Sequence, residues 1–236
     1  MTPPRSQVAA ISFDADDTLW DFGTASQLAL AVVADRLTEA GLHPPHGPAT
    51  ADWLAALRER VAVERPGATL DELRQAAFTA ALAACGRPDE PAAARELFTE
   101  YTRVRHGGVT PFPEVVAVLT ALAARFPLAV TTNGNTDPEL VAGLAGRFHC
   151  VTSPAESGLY KPDPRMFHLT AERLGVLPAA VLHVGDHLDE DALGAREAGL
   201  QSRWLNRRGP GPGAERAARA GIAAIGSLAE LLALAG

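Results

Sequence analysis

Three short apolar segments constrain the fold of this chain most, because each is continuous and ends abruptly in polar residues. They span residues 8–13, 127–130 and 180–184. Continuous apolar strands are covered on both faces, as in parallel sheets, whereas strands with one wet face alternate apolar and polar residues. Residues 149–152 and 202–205 carry weaker candidates for the same kind of strand. The sequence therefore predicts parallel strands that are buried on both faces.

Helical patterns separate these predicted strands. Residues 114–125 place apolar side chains on one helical face, and Asp163 before a proline indicates a helix N-cap, with Gly175 as the stop. Ser227 and Glu230 have the spacing of a capping box for a last helix. Helices and strands thus alternate toward the C-terminus. This order predicts an α/β fold with a Rossmann-like, doubly wound parallel sheet and right-handed crossovers.

The stretch between the first predicted strand and the rest of the sheet differs, since it contains no convincing strand. Thr50 and the capping box of Thr69 with Glu72 each precede an apolar helical pattern, and Pro91 opens another. With a helix over about residues 25–40, these patterns predict an inserted, all-helical domain of four helices. The predicted domains are a core of residues 1–20 and 109–236 and a cap of residues 21–108.

Two segments of this arrangement are predicted to be loops. Residues 106–108, His-Gly-Gly, are expected to form the hinge by which the cap returns to the core. Residues 207–213, which are rich in Gly and Pro, are expected to form a surface loop of the core.

The composition excludes several classes of function. The chain has 236 residues, a formal net charge of −7 and no run of Lys and Arg, so nucleic acid is not an expected partner. No stretch approaches the ~18–20 apolar residues of a membrane span, and the N-terminal segment MTPPRSQ has no apolar region. Cys85 and Cys150 lie outside any CxxC pair, which indicates reduced, buried thiols. These features predict a soluble, cytoplasmic protein without membrane contact, and they leave its oligomeric state unknown.

Polar side chains follow the predicted strands where ligands of open parallel sheets bind, beyond the carboxyl ends of the strands. These residues are Asp14, Asp16, Thr132, Asn133 and Asp186, and Asp189, Glu190 and Asp191 are expected on the loop after the fourth strand. Carboxylates gathered at one edge repel one another, so they need protons or a cation. Mg²⁺ suits one or two carboxylates together with a phosphate group and waters.

Each of these signals has a structural alternative when it is taken alone. An Asp-x-Asp pair often caps a turn, Thr-Asn-Gly is a turn signal, and Gly-Asp is common after apolar strands. Lys161 alone would be a solvated lysine. The functional interpretation depends on all four signals occurring in order, each at a predicted strand end or in the adjacent loop.

That combination resembles the haloacid dehalogenase superfamily, specifically its subfamily I phosphatases with a helical C1 cap inserted after the first motif. The motifs are FDADDTLW at 13–20, VTTNGN at 130–135, GLYKPDPRMF at 158–167 and HVGDHLDEDALGAREAGL at 183–200. The resemblance covers almost the whole chain. It implies a five-stranded core and a helical cap.

The resemblance also implies a role for each matching residue. Asp14 resembles the nucleophile that attacks phosphorus, and Asp16 resembles the general acid and base. Lys161 would be a point charge between the nucleophile and the phosphate. Thr132 would hydrogen-bond a phosphoryl oxygen with help from Asn133, whereas the neighbouring Thr131 would be buried in the strand.

The metal site follows from the same resemblance. Mg²⁺ would be bound by one Asp14 oxygen, by the backbone carbonyl of Asp16 and by Asp186, with Asp191 supporting it directly or through water. His187 and Glu190 depart from the residues that are frequent in the family, and His187 is interpreted as a loop residue. Dehalogenase branches lack an aspartate at the position of Asp16, which argues against dehalogenation here.

The sequence thus predicts a Mg²⁺-dependent phosphatase that hydrolyses a small organophosphate monoester through an aspartyl-phosphate intermediate. Three alternatives stay open: a sugar-phosphate mutase, a signalling receiver module and a catalytically silent interaction protein. The expected partner is a small phosphorylated metabolite such as a sugar phosphate, a nucleotide or flavin mononucleotide. Residues near the cap boundaries are candidates for substrate contacts: Trp20, Asp21, Phe22, Arg103, Arg105 and His106.

Overall fold

The computed structural model describes residues 7–209 and 211–234, and these contain a six-stranded sheet. Residues 1–6, which belong to the N-terminal segment MTPPRSQ, and Pro210 of the predicted surface loop lie outside the described residues. The strands are β1 (Ala10–Phe13), β2 (Leu128–Thr131), β3 (Cys150–Thr152), β4 (Val181–Gly185), β5 (Gln201–Leu205) and β6 (Ala223–Ile225).

The sheet is parallel throughout and has the order β3-β2-β1-β4-β5-β6. Central strand β1 pairs with both β2 and β4, so that Ile11 is opposite Leu128 on one side and Leu182 on the other. Every residue of β1, β2 and β4 is buried, which explains why these strands have a continuous apolar character. The predicted α/β, Rossmann-like fold is confirmed.

Helices connect and cover these strands. They are α5 (Val115–Ala123), α6 (Pro154–Ser157), α7 (Pro164–Arg173), α8 (Gly194–Glu197) and α9 (Pro212–Arg219). As predicted, α7 begins at an N-cap, where the Asp163 carboxylate accepts a bond of 2.9 Å from the Arg165 amide, and Gly175 follows its end with φ +69°. Phe167 and Ala171 of α7 pack with Ala10, Ala129 and Val181, and this cluster covers one face of the sheet.

The chain divides into two compact units, one formed by the residues up to Asp21 with those from Thr110 onward, and one by Phe22–Val109. We call them the sheet unit and the helical unit. The helical unit, all of whose residues are described, contains α1 (Phe22–Glu39), α2 (Ala51–Glu64), α3 (Leu70–Ala84) and α4 (Pro91–Gly108).

The helical unit has its own apolar core and its own helix caps. Val33, Leu57 and Phe78 belong to one buried cluster, so the unit does not depend on the sheet for a core. The Thr50 hydroxyl accepts a bond from the Trp53 amide at 3.2 Å. The predicted capping box is present, because the Thr69 hydroxyl accepts from the Glu72 amide and the Glu72 carboxylate accepts from the Thr69 amide.

Several predicted elements differ from the structure. The implied five-stranded core has a sixth strand, β6, whose two alanines are exposed and give no apolar signal. Helix α9 begins inside the predicted loop 207–213, and α4 continues through the predicted hinge at 106–108. A glycine weakens a helix by only about 1 kcal/mol, so neighbouring turns can carry the helix through Gly107.

Two predicted helices are replaced by 3₁₀ turns, and the cysteines are less buried than expected. Where the alternating order predicts a helix between β2 and β3, the structure has the 3₁₀ turn Pro138–Leu140, and the last predicted helix is the 3₁₀ segment Leu228–Leu234. Cys85 and Cys150 are both partly exposed.

Among the described helices, none combines the length and the apolar character that crossing a bilayer requires.

Candidate active site

The sheet topology brings three predicted site segments together. Asp14 directly follows β1, Thr132 follows β2, and Asp186 follows β4, and these three strands are neighbours in the sheet. The Asp14 amide donates to the Val184 carbonyl at 2.8 Å, which continues the ladder one residue beyond the strand. The first, second and fourth motifs therefore meet at the carboxyl edge of the sheet.

Lys161 joins the two most deeply buried carboxylates of this edge. Its ammonium lies 2.5 Å from Asp14 Oδ1 and 2.6 Å from Asp191 Oδ1. Lys161 is 4% exposed, Asp14 6% and Asp191 1%, so these charges are largely withdrawn from water. The third motif thereby supplies a cation to the first and fourth motifs, although Lys161 is 147 residues away from Asp14 in the chain.

The charges fix the protonation of two members of this group. Burial alone would lower the pKa of Lys161, but Asp14 and Asp191 outweigh burial and raise it. Burial alone would raise the pKa of Asp191, but Lys161 and a bond from His183 outweigh burial and lower it. Lys161 is therefore an ammonium and Asp191 a carboxylate across the range in which enzymes work.

Asp14 and Asp186 behave differently, because no single lysine can balance three carboxylates. Burial, with the nearby Asp191 and Asp186, raises the pKa of Asp14 well above its usual range in spite of Lys161. Burial and the charges of Asp191 and Asp17 raise the pKa of Asp186 to about 6. Oxygens of Asp14, Asp186 and Asp191 all lie within 4.8 Å of one another. Hard oxygen donors at this spacing, with carboxylates that resist ionisation, fit a divalent cation such as Mg²⁺.

Asp16 faces a different neighbour. Its Oδ1 accepts a hydrogen bond of 2.7 Å from the indole Nε1 of Trp20, which is fully buried. Gly134 of the second motif lies against the other carboxylate oxygen, since a Cβ built on it would be 2.5 Å from Asp16 Oδ2. Trp20, which we expected near the substrate, thus fixes the Asp16 carboxylate, and this link could not be read from the sequence.

The second motif positions Lys161. The Asn133 amide nitrogen donates to the Lys161 carbonyl at 3.0 Å and to Glu190 Oε2 at 2.8 Å, and its oxygen accepts from the Lys161 amide at 2.7 Å. Asn133 therefore holds the third motif, and Glu190 in turn holds Asn133. A phosphate contact by Asn133 stays a prediction, as does the one by Thr132, whose hydroxyl accepts a bond of 2.9 Å from the Gly134 amide.

The acidic segment of the fourth motif is a π-helical turn, Leu188–Leu193, and not the loop that we predicted. This turn selects Asp191 for the site, because the Asp191 carboxylate accepts from the His187 amide at 2.9 Å. Asp189 instead forms an exposed ion pair with Arg216. His187 accepts a bond from the Glu190 amide at 3.1 Å and caps the turn. A six-residue π-helix has no hydrophobic period that would identify it in a sequence.

Two further residues hold Asp186. Its backbone amide donates to the Thr18 hydroxyl at 3.1 Å, and its carbonyl accepts from the Trp204 indole at 2.7 Å. Thr18 lies inside the first motif, so its importance could have been inferred there. Trp204 lies on β5 and carries no such signal.

The expected substrate contacts of the helical unit have partners within that unit. Arg105 is fully buried, with its guanidinium 5.6 Å from the Phe22 ring centroid and 5.7 Å from that of Tyr101. The exposed Arg103 is paired with Glu100 at 2.8 Å. Substrate contacts by these residues stay predictions.

Comparison with known proteins identifies similar sequences. The chain matches the model described as haloacid dehalogenase-like hydrolase over residues 8–199. It is 32% identical over 210 residues to the 5-amino-6-(5-phospho-D-ribitylamino)uracil phosphatase YigB of Escherichia coli, a match covering 86% of this chain and 85% of that protein.

Solved structures of haloacid dehalogenase-like proteins have a similar fold. A 2-haloacid dehalogenase from Pseudomonas syringae has a TM-score of 0.77 and 34% identity, with 97% of this chain and 98% of that chain covered. The HAD-hydrolase YfnB from Bacillus subtilis, solved bound to magnesium, has a TM-score of 0.75 and 25% identity, with 98% of this chain and 99% of that chain covered.

The raised pKa of Asp186 predicts a pH-dependent affinity for Mg²⁺. Because this pKa is about 6, the metal-free site keeps a proton below that pH, and Mg²⁺ has to displace it. The affinity measured by titration calorimetry should fall as the pH drops, and the fall should steepen by about tenfold per pH unit below this point, where the Asp186 proton adds to that of Asp14. Asp186→Asn should weaken binding and remove this steeper part of the profile. A wild-type Kd that stays constant down to about pH 5 would contradict the assignment of Asp186.

The contact between Gly134 and Asp16 predicts a sensitive position. Gly134→Ala should displace the Asp16 carboxylate and lower kcat by about 10²-fold, the usual cost of misplacing a reacting group. Gly211→Ala is the control, because a Cβ there has nothing within 4 Å. Phosphate release and the thermal unfolding midpoint should be measured for both. A folded Gly134→Ala protein with normal kcat would show that Asp16 is not held as described.

Proposed function

Because the chain belongs to the haloacid dehalogenase-like hydrolases, we propose that it hydrolyses a small organophosphate monoester with Mg²⁺ and through an aspartyl-phosphate intermediate. The match to the family model confirms the family predicted from the motifs. The likeness to relatives that are named phosphatases confirms the predicted enzyme class, a phosphatase of this family. The proposal concerns the substrate class, the metal, the intermediate and the role of each residue.

The observation that carries the proposal is the buried contact of Lys161 with Asp14. A carboxylate at 6% exposure, beside an ammonium at 2.5 Å, is shielded from water but keeps a second oxygen for attack. In the proposed first step that oxygen forms a bond to phosphorus, and the bond from phosphorus to the leaving oxygen breaks. Lys161 balances negative charge on Asp14 and on the phosphoryl oxygens throughout, as phosphoryl transfer requires.

Asp16 is proposed as the general acid and base. Protonated, it gives its proton to the leaving oxygen; ionised, it then takes a proton from the water that attacks phosphorus. The bond between phosphorus and Asp14 breaks in this second step, which releases phosphate and restores the carboxylate. The Trp20 indole supports this role because its hydrogen bond to Oδ1 fixes the orientation of the Asp16 carboxylate.

Asp14, Asp186 and Asp191 are proposed to hold Mg²⁺ together with the backbone carbonyl of Asp16. When bound, the cation neutralises carboxylates whose burial disfavours ionisation, and it attracts the phosphate dianion. The likeness to a structure solved with magnesium supports this choice of metal.

Thr132, Asn133 and Lys161 are proposed to bind the transferring phosphoryl group. Since the Thr132 hydroxyl accepts from the Gly134 amide, its own proton can be donated to a phosphoryl oxygen. Asn133 contributes mainly by holding the backbone of Lys161. This assignment separates a direct contact by Thr132 from a positioning role of Asn133.

Dehalogenation is the second candidate, favoured by the 34% identity to a solved 2-haloacid dehalogenase. The presence of Asp16 argues against it. Dehalogenase branches of the family lack an aspartate at this position, whereas hydrolysis of a phosphoenzyme needs an acid and base there. A sugar-phosphate mutase would use the same aspartates but would produce an isomer in place of free phosphate. A catalytically silent protein would be expected to lack one of Asp14, Asp16, Lys161 and Asp186, and all four are present.

A small substrate is proposed from the position of the insertion. In the sheet unit, the chain departs after Trp20 and returns at Pro111, which form an antiparallel bridge, and the Phe112 amide donates to the Leu19 carbonyl at 3.0 Å. Both connections thus adjoin the first motif. A helical cap attached here can admit a small metabolite and obstruct a phosphoprotein, and the net charge of −7 disfavours nucleic acid. A cytoplasmic location also stays a prediction.

Replacement of the nucleophile tests the mechanism. Asp14→Asn should abolish phosphate release and covalent labelling by a radioactive phosphate ester, because an amide oxygen does not attack phosphorus at a useful rate. Asp189→Asn, which changes an exposed aspartate near the site, should keep both activities. A panel of sugar phosphates, nucleotides, phosphopeptides and 2-chloropropionate should yield phosphate from small esters and no chloride. Near-normal turnover by folded Asp14→Asn, or chloride release without phosphate release, would refute the proposal.

The acid role of Asp16 has a distinct signature. Asp16→Asn should slow hydrolysis by about 10²–10⁴-fold, the usual contribution of general acid–base catalysis. Rapid-quench measurement of phosphoenzyme formation should show the smallest loss for aryl phosphates, whose leaving oxygens need little protonation. An equal loss for alkyl and aryl phosphates in that step would argue against this role.

A further inference from the structure

A layer of polar side chains is buried on the face of the sheet that α7 covers. On this face the strands begin with small or apolar residues such as Ala10, Ala129 and Val181, which belong to the apolar cluster under α7. Two residues further along, the same strands carry polar side chains. These are Ser12, Thr131 and His183, joined by Thr152 of β3 and Thr170 of α7, and all five are fully buried.

These side chains form a continuous chain of hydrogen bonds. His183 Nδ1 lies 3.1 Å from the Ser12 hydroxyl, which lies 2.7 Å from that of Thr131. The Thr131 hydroxyl lies 2.8 Å from that of Thr170, and the hydroxyls of Thr170 and Thr152 are 2.9 Å apart. Buried polar groups are costly unless they are paired, and here each finds a partner.

This chain of hydrogen bonds ends at the active site. The other ring nitrogen of His183, Nε2, lies 3.3 Å from Asp191 Oδ1. The same carboxylate oxygen is the one that Lys161 contacts at 2.6 Å. The second oxygen of Asp191 is occupied by the His187 amide at 2.9 Å. Asp191 is therefore held from three directions, and His183 is the contact that comes from the core.

The direction of these hydrogen bonds follows from Asp191. A carboxylate only accepts, so Nε2 of His183 must carry a proton and donate. In the neutral ring Nδ1 is then an acceptor, and Ser12 donates to it. Since the Ser12 proton is used, the Thr131 hydroxyl donates to that of Ser12.

We infer that His183 is a positioning residue of the proposed phosphatase: its Nε2–H fixes Asp191, and the Ser12 and Thr131 hydroxyls fix the tautomer and the plane of the ring. The edge contact of Phe167, with ring centroids 5.1 Å apart, supports that plane. The inference rests on the proposed function. The hydrogen bond from His183 occupies one lone pair of Asp191, so Lys161 stays shared between Asp191 and Asp14.

Loss of the His183 donor has a specific consequence. Asp191 could turn, and its uncovered oxygen would attract Lys161 away from Asp14. Such a shift disturbs the nucleophile and the carboxylates proposed to hold Mg²⁺, but it leaves the outer part of a substrate site unchanged. We expect a fall in kcat and in Mg²⁺ affinity with little change in KM. Residues that orient a metal-binding side chain through a hydrogen bond typically contribute about 10–100-fold in activity or metal affinity.

The test compares two replacements of His183 with the same two replacements of a control histidine. His183→Leu removes the donor, whereas His183→Gln can place an amide nitrogen near the position of Nε2. His168 on α7, an exposed residue, is the control, because its Nε2 contacts the Ala198 carbonyl at 2.8 Å, away from Asp191. For each variant, kcat and KM for an aryl phosphate, Mg²⁺ affinity by calorimetry and the unfolding midpoint should be measured.

The inference expects kcat to fall about 10–100-fold in His183→Leu, to recover largely in His183→Gln, and to stay normal in both His168 variants. It is overturned if folded His183→Leu keeps the wild-type kcat, or if folded His183→Gln loses as much as His183→Leu. Should His183→Leu fail to fold, Ser12→Ala and Ser12→Thr decide: the alanine should lower kcat and the threonine restore it. Equal kcat in Ser12→Ala and wild type would then overturn the inference.

Parallel measurements separate this inference from the proposed function. Loss of activity in Asp14→Asn establishes the phosphatase mechanism before the His183 variants are compared. If wild type released no phosphate from any ester, the proposed function would fail, and a crystal structure of a His183 or Ser12 variant would decide the inference. Asp191 and Lys161 at their wild-type separations from each other and from Asp14 would then refute the positioning role.

Discussion

The buried contact of Lys161 with Asp14 and Asp191 is the interaction on which the arrangement of this site depends. An ammonium between two carboxylates in a water-poor interior is stable only while all partners stay in place, and removing one leaves an uncompensated charge that typically costs several kcal/mol. Asn133 and Glu190 hold the backbone of Lys161, and the π-helical turn and His183 hold Asp191. Most polar contacts around the site therefore support one ion cluster.

The parallel sheet explains how such distant residues can meet. Because β1 lies between β2 and β4, the segments that follow these strands are neighbours at one edge, whatever their separation in the chain. The glycines of the motifs allow close approach there: a Cβ on Gly134 would collide with Asp16, and one on Gly185 would collide with Asp191. Side chains that would fill ordinary strand ends are thus excluded where carboxylates have to fit.

The sequence allowed the main strands, the helix caps and the four motifs to be predicted, because these depend on local patterns. Continuous apolar runs identified β1, β2 and β4, and the box at Thr69 identified the start of α3. The β6 strand was missed since its alanines carry little hydrophobic signal. The partners of Asn133, Trp20 and His183 could not be predicted, because side-chain contacts across strands depend on register and packing that no local pattern encodes.

The charges of the site explain why its carboxylates differ. Fully ionised, Asp14, Asp186 and Asp191 carry three negative charges against the single charge of Lys161, and the raised pKa values of Asp14 and Asp186 express this excess. A divalent cation would offset it and let both carboxylates ionise, which an attacking Asp14 requires. Asp16, whose carboxylate is held by Trp20, is the aspartate that can exchange a proton in the proposed mechanism while the other three keep their charges. In the proposed mechanism the same chain segment, residues 13–20, would therefore supply a nucleophile that stays ionised and an acid and base that changes its protonation state, and their different neighbours make both possible.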